Sequence, residues 1–340
     1  MARRLAEVAK YAGVSEATVS RVLNQKPGVA KATQELVLTA LDVLGYERPT
    51  QLRGERARLV GLVLPELQNP IFPAFAEVVA DTLAKRGFTP VLCTRTSAGI
   101  SEADYVDMLL EHQVSGVIFS GGEYAQAAAD HEHYIRLRER GLPVVLVNAA
   151  YDDLGFPRIS TDDRSAVEQA FTHLRSLGHE RIGMVLGPAD HVPSSRKLAA
   201  FEELGGAADL VERCTFSMES GQAAGRRLLR KGATGVICAS DIIALGVVRA
   251  VRREGREVPD DVSVIGFDDS ALMSCTDPPL TTVRQPIEAM GRSAVATLMN
   301  QIGGAPVSTE ELLFEPELVV RASTGSVAPV TALRTASGQP

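Results

Sequence analysis

The run Leu5-Ala6-Glu7-Val8-Ala9-Lys10-Tyr11-Ala12-Gly13-Val14-Ser15-Glu16-Ala17-Thr18-Val19-Ser20-Arg21-Val22-Leu23-Asn24 decides how the amino-terminal part of the chain folds. Leu5, Val8, Ala9 and Ala12 recur at helical spacing, Gly13 tolerates the positive φ needed to leave that helix, and Ser15 suits the cap of a second helix. Two short helices joined by Ala12-Gly13-Val14-Ser15 pack only at a steep angle, as in a helix-turn-helix. Val19, Val22 and Leu23 then point inward, which leaves Glu16, Ala17, Ser20 and Arg21 facing outward at a distance suited to the DNA major groove. Arg21 can form a bidentate bond to guanine, Ala17 can touch a thymine methyl and Glu16 can accept from cytosine. Ser15, Thr18, Ser20 and Asn24 are short polar side chains suited to phosphate contacts. A plain helical hairpin at a domain edge is the alternative this geometry leaves open. Lys26-Pro27-Gly28 ends the second helix, and Leu36, Val37, Ala40, Leu41 and Leu44, closed by Gly45, mark a third.

Charge separates this head from the rest of the chain. Residues 1–60 hold ten basic and six acidic side chains, a net of +4, whereas the whole chain carries −7, so the remaining 280 residues carry −11. A basic head on an acidic body suits a small unit that meets a polyanion and a large one that does not. The 340 residues allow two or three domains, and 45% apolar with 23% charged residues is ordinary globular composition. No long apolar run and no signal-peptide core is read in the sequence, so the protein is expected to be cytoplasmic. Cys93, Cys214, Cys238 and Cys275 lie far apart without a nearby His, so they are expected to be reduced and mostly buried, with no metal site.

From Leu59 onward apolar strands alternate with polar-faced helices. Strands are expected at Leu59 to Leu64, Pro90 to Thr94, Gly116 to Phe119, Val144 to Val147, Ile182 to Leu186, Gly235 to Cys238 and Val262 to Phe267. Helices such as Phe75 to Lys85, Tyr105 to His112 and Val167 to Ser176 separate them, the pattern of βαβ units and parallel sheets. Seven strands suffice for two doubly wound subdomains, whose ligands bind where the strand carboxyl ends converge. The fold class is therefore α/β, with a three-helix head. The stretch from Ala322 to Pro340, rich in Ser, Thr, Ala, Gly and Pro, is expected to be largely disordered.

The run from Val8 through Asn24 resembles the amino-terminal signature of the lactose-repressor/galactose-repressor family of bacterial transcription regulators. The similarity continues through Gly45-Tyr46, Gln68-Asn69-Pro70-Ile71-Phe72, Leu177-Gly178-His179, Ser240-Asp241, Val264-Ile265-Gly266-Phe267-Asp268-Asp269 and Gln285-Pro286, up to about Ser323. The head and the Asn69 region look most like maltose-type repressors. The resemblance implies a head and hinge over 1–57, a periplasmic-binding-protein-like core over 58–325 and a tail over 326–340. Within the core it implies one subdomain from about 58–158 with 287–318, and another from 159–286 with 319–325. It further implies operator DNA, a homodimer, and a small sugar effector such as maltose or a related oligosaccharide. Position by position, Glu16, Ala17 and Arg21 fall where family members read bases. Asn69, Phe72, Asn148, Ser240 and Asp268 fall at effector-binding positions, and amides and a carboxylate around a phenyl floor suit a polyol.

Three departures qualify this. Lys197, beside Arg196, stands where the family usually has Arg, and an ammonium cannot replace a bidentate guanidinium. The hinge Gln51-Leu52-Arg53-Gly54-Glu55 follows a shortened linker, so Leu52 matches the family's minor-groove leucine only in uncertain register. The stretch from Glu202 to Cys214 is short. Asp130-His131-Glu132-His133 is expected to be a solvated helix start, since consecutive helical residues cannot converge on one ion. No nucleophile elbow, phosphate loop or dinucleotide fingerprint appears, so no cofactor and no enzymatic chemistry are implied. A transport-type sugar-binding protein would share the core but carry an export signal and no helix-turn-helix. An enzyme on doubly wound domains would show a nucleophile and base or a cofactor loop.

Overall fold

The computed structural model describes residues 2–23, 26, 28–44, 58–95, 99–148 and 154–327. The chain divides into two compact units, Met1–Leu59 and Val60–Pro340.

The first unit holds α1 (Ala2–Ala12), α2 (Glu16–Leu23) and α3 (Lys31–Val43). Val8, Ala9, Val19, Val22, Val37, Ala40 and Leu41 form its buried core, so each helix contributes the apolar stripe that its spacing indicated. Gly13 takes φ +67 with no atom near its would-be Cβ, the conformation that lets α1 stop and the chain turn into α2.

The second unit contains two six-stranded sheets. Along the chain its first half runs β1 (Leu59–Leu64), α4 (Ile71–Ala84), β2 (Thr89–Thr94), α5 (Glu102–Glu111), β3 (Gly116–Ser120), α6 (Glu132–Glu139), β4 (Val144–Val147) and β5 (Arg158–Thr161). The second half runs α7 (Asp163–Ser176), β6 (Ile182–Leu186), α8 (Val192–Glu203), β7 (Val211–Arg213), α9 (Met218–Arg230), β8 (Gly235–Cys238), α10 (Asp241–Arg253), β9 (Ser263–Asp268) and β10 (Thr281–Arg284). Helix α11 (Ile287–Ile302) and β11 (Glu311–Phe314) return to the first half, and β12 (Glu317–Val319) to the second. The first sheet has the order β11-β5-β4-β3-β1-β2 and the second β12-β10-β9-β8-β6-β7. Both reverse direction beside their first strand, at β1/β3 and β6/β8, which opens a crevice at the strand carboxyl ends. At the edge of the second sheet β12 runs antiparallel to its neighbour, β10.

Near-continuous apolar strands such as Leu59-Val60-Gly61-Leu62-Val63-Leu64 are buried on both faces, as parallel strands covered by helices require. In the first half, Val60, Leu62, Ile118 and Val145 pack with Phe75, Val79 and Leu83 of α4 and with Met290, Ala294 and Leu298 of α11. In the second half, α7 and α8 join one buried cluster and α9 and α10 another.

All seven expected strands form, with ends displaced by at most one residue. Five further strands, β5, β7, β10, β11 and β12, went unrecognised; each has three or four residues, and three of them lie at sheet edges. Because Arg158–Thr161 pairs with β4, the first crossing between sheets follows Thr161, and β12 puts the third crossing before Glu317; the boundaries expected at 158 and 318 shift accordingly. Residues Ala322–Val327 depart from expectation. Ser323 is fully buried and its hydroxyl donates to the Val264 carbonyl at 2.6 Å, and Val327 N donates to Leu177 at 3.1 Å, so this stretch packs on the second sheet. Residues 328–340 lie outside the described residues. All four cysteines are free; Cys93 and Cys238 are buried, but Cys214 is half-buried and Cys275 exposed, because Cys275 follows a surface 3-10 turn. Among the described residues no helix is long and apolar enough to cross a membrane.

Candidate functional site

Two sets of side chains stand out, one in each unit. On α2, Val19 and Val22 are buried while Glu16, Ala17 and Arg21 are exposed, with Thr18 and Ser20 half-buried at the margin. Ser15 Oγ accepts from Thr18 N at 3.1 Å and lies 2.9 Å from Thr18 Oγ1, so it caps the helix. The three candidate base readers thus share the solvent face of a capped helix. Asn24 and Leu52 lie outside the described residues.

In the second unit a cavity of about 450 Å³ opens at the carboxyl ends of both sheets. Asn69, Phe72, Asn148, Lys197, Ser240 and Asp268 all line it. Arg196 does not: its guanidinium donates to Glu311 at 2.8 Å, because the next residue on α8, not this one, faces the cleft. Ser240 lines the cavity, but its hydroxyl accepts from Ile243 N at 3.3 Å and caps α10.

The polar lining is extensively self-bonded. Gln285 donates to Asp268 at 2.6 Å and accepts from Asn148 at 3.0 Å and Thr161 at 2.8 Å, while Asn69 reaches Asp268 at 3.5 Å. This chain of amides joins the two halves across the cleft floor. Burial, with Asp241 adding to it, pushes the Asp268 carboxyl well above the usual carboxylate range. Lys197 pairs with the buried carboxylate of Asp163 and sits 4.0 Å over the Phe267 ring. Burial raises the Asp163 carboxyl despite that ammonium. His191 lines the far wall, 5.2 Å from the Phe216 ring and 2.9 Å from Ser194 Oγ; burial first, then Lys197, pushes its imidazole down to about 3. At the mouth, Gln126 and His191 form an antiparallel bridge and Ala127 N donates to the Asp190 carbonyl at 2.8 Å.

Thr161, Asp163, His191, Phe216 and Gln285 were not foreseen as lining residues. Recognising β5 would have pointed to Thr161 and Asp163, since both sit at its carboxyl end; His191 and Phe216 carry no pattern that singles them out.

Residues 4–49 match the family described as bacterial regulatory proteins, lacI family, and residues 171–324 match a periplasmic binding protein-like domain. The HTH-type transcriptional regulator reg1 of Streptomyces lividans is 53% identical over 337 residues, covering 96% of this chain and 98% of that protein. The chain belongs to the lacI family. Among solved structures, the complex of the transcriptional regulator CelR with cellobiose is 33% identical with a TM-score of 0.69, covering 94% of this chain and 99% of that one. The lac repressor dimer bound to operator and the anti-inducer ONPF is 28% identical with a TM-score of 0.70, covering 94% and 98%.

The lacI-family match begins within α1 and spans α2 and α3, so the exposed face of α2 lies inside it. The Asp130–His133 run corrects one expectation. His133 is buried and lies 3.2 Å from the buried carboxylate of Glu102, because the amphipathic face of α6 turns it toward α5. Donor atoms of Glu102, Glu123 and His133 come within 4.8 Å of one another. Glu102 already accepts from Tyr134 and from Glu123 N, and Glu123 pairs with Arg95 at 2.9 Å, so hydrogen bonds and a guanidinium occupy the ligand positions a cation would need.

Proposed function

We propose that this lacI-family regulator acts as a cytoplasmic homodimeric repressor, binding a near-palindromic operator through α2 and controlled by a neutral sugar of disaccharide size held in the cleft. Glu16, Ala17 and Arg21 read bases, with Ser15, Thr18 and Ser20 toward the phosphates; Asn69, Phe72, Asn148, Lys197 and Asp268 hold the sugar. One observation carries the effector class: among the described residues, both cations that line the cavity, Lys197 and Arg95, are already ion-paired, while amides, carboxyl groups and phenyl rings remain to face the ligand. A phosphorylated or acidic ligand would have no uncommitted cation, whereas a polyol exchanges hydroxyl bonds with Asn69, Asn148, Gln285 and Asp268. The solved relatives in complex with cellobiose and with operator support the two halves of this reading, as do the 26% and 27% identical neighbours that hold ribose and lactose. Maltose or a related oligosaccharide is the effector proposed. The sugar acts by binding one arrangement of the dimer better than the other.

The test uses full-length protein, a palindromic DNA selected from a random pool, and titration with maltose, maltotriose, cellobiose and their phosphates. A neutral sugar is expected to raise the thermal midpoint and change DNA affinity. Asp268→Asn, which keeps the left-handed backbone of a residue at φ +123, should lose the sugar response and keep DNA binding. Tighter binding of a phosphorylated sugar would overturn the effector class, and DNA binding by residues 60–340 equal to that of the full chain would overturn the role of the head.

A further inference from the structure

Resting on the sugar reading above, we infer that Tyr124, backed by Tyr134 and Glu102, is a positioning residue that holds the Gly121 turn and the Val147–Asn148 strand end in one geometry and thereby sets effector affinity. None of these three touches the cavity. Tyr124 sits in the 3-10 turn Glu123–Ala125 beyond β3 and is fully buried. Its hydroxyl accepts from Gly121 N at 2.7 Å and donates to the carbonyl of Val147, the last residue of β4. Gly121 and the residue after Val147, Asn148, both line the cleft. A single hydroxyl thus joins the turn after β3 to the carboxyl end of β4, at two neighbouring strand ends where ligands of such sheets bind.

The rest of the network fixes Tyr124 in turn. Its backbone N–H donates to Tyr134 Oη at 3.0 Å, and Tyr134 donates to Glu102. The second oxygen of Glu102 accepts from Glu123 N at 3.2 Å. Gly122 lies so close to that carboxylate that a Cβ would come within 2.6 Å of it, and a Cβ on Gly121, held at φ +73, would come within 3.1 Å of the Phe72 ring. The network therefore also sets the surface against which Phe72 rests. The same loop continues to Gln126 and Ala127, which bridge to the second half at the cleft mouth. A buried network with every polar group satisfied rigidifies what it holds, and a preordered site loses less freedom on binding.

Tyr124→Phe keeps the ring, which packs edge-on to Tyr134 with centroids 6.0 Å apart, and removes only the hydroxyl. In the full-length variant, amide exchange is expected to rise about tenfold in peptides covering 119–127 and 144–148 and to stay unchanged in α11 and α10, as when one buried hydrogen-bonded link is lost. Affinity for whichever of maltose, maltotriose or cellobiose the wild type binds should fall about tenfold, while affinity of the sugar-free protein for the selected palindrome stays the same. Tyr134→Phe, which frees Tyr124 N–H, should move both readouts in the same direction and serves if Tyr124→Phe does not fold. Unchanged exchange in the two peptides, a uniform rise across the first half, or local loosening with wild-type sugar affinity would each overturn the inference. A wild type that binds none of the sugars overturns the sugar reading and this inference with it; a variant that binds as the wild type does overturns the inference alone.

Discussion

The head and the cleft solve the problem of building a site in opposite ways. On α2 the fold uses Val19 and Val22, while Glu16, Ala17 and Arg21 stand exposed on the other side. Val19 and Val22, not those outward side chains, fill the core beneath the helix. In the cleft the candidate ligands Asn148, Gln285, Asp268 and Asn69 bond one another, and Lys197 neutralises Asp163. Those groups are part of what holds the two halves together. A substitution in the head should therefore separate binding from stability, and one in the cleft should not.

The largest test of that difference is Lys197→Met. It leaves the buried Asp163 carboxylate without its ammonium, and breaking one partner of a buried pair costs about 3–5 kcal/mol. Denaturant unfolding of the variant should show most of that loss, and adding Asp163→Asn should recover a large part of it. A loss below about 1 kcal/mol would place the cleft with the head, its polar groups dispensable to folding.

His191 gives the next largest effect. Its imidazole is pushed down to about 3 from 6.5, so the unfolded chain binds the proton first. This stabilisation is complete above pH 6.5 and is lost as pH falls through the window from 6.5 toward 3, about 2–4 kcal/mol in all. Asp163 and Asp268, whose carboxyls are raised, act in the opposite sense, so the measurement is the difference between wild type and His191→Asn. That difference should shrink between about pH 7 and about pH 4. A difference independent of pH would show His191 exposed to water in the folded protein.

Legibility in the sequence divides along the same line. The head was legible because helical spacing assigns every side chain of α2 to one face or the other, and Ser15 announces the cap. The long core strands were legible because burial on both faces writes them as unbroken apolar runs. Strands β5 and β10 were missed because Thr161, Thr281 and Thr282 are buried polar residues, satisfied by partners as remote as Gln285, Thr324 and Asp241. No local pattern encodes a bond across more than 40 residues. Arg196 falls outside the cavity and Lys197 pairs with Asp163 for a related reason: resemblance points to this turn of α8, but which of two adjacent cations faces inward depends on Asp163 and Glu311, contributed by other elements. Asn148 and Asp268 line the cavity because each lies at or just beyond the carboxyl end of a recognised strand, and Phe72 because it opens α4, the helix that follows β1.

Arg21→Ala should show the head's separability. The side chain is exposed, so unfolding free energy should change by less than about 0.5 kcal/mol. If Arg21 reads a base edge, discrimination between the selected palindrome and random DNA should fall by about 1–3 kcal/mol. Competition binding decides: an equal loss on both DNAs would make Arg21 a phosphate contact.

Ser15 is where the contrast should break, by the smallest margin. Its hydroxyl accepts from Thr18 N at 3.1 Å and so satisfies an amide at the start of α2 that no carbonyl can reach. The same residue is a candidate phosphate contact. Ser15→Ala should therefore cost about 1 kcal/mol of helix stability, a modest amount because water can replace the cap at an exposed terminus. The effect should appear as faster amide exchange at Thr18 and Val19, whose backbone bonds lie in the first turn, with exchange in β1, β3 and β9 unaltered. Ser15→Asp restores an acceptor and places a negative charge where the helix dipole favours it, so protection should return. DNA affinity should not, because the carboxylate repels phosphate. Recovery of both would mean that Ser15 serves DNA only through the helix it caps, and loss of DNA affinity without loss of protection would return Ser15 to the separable class of Arg21.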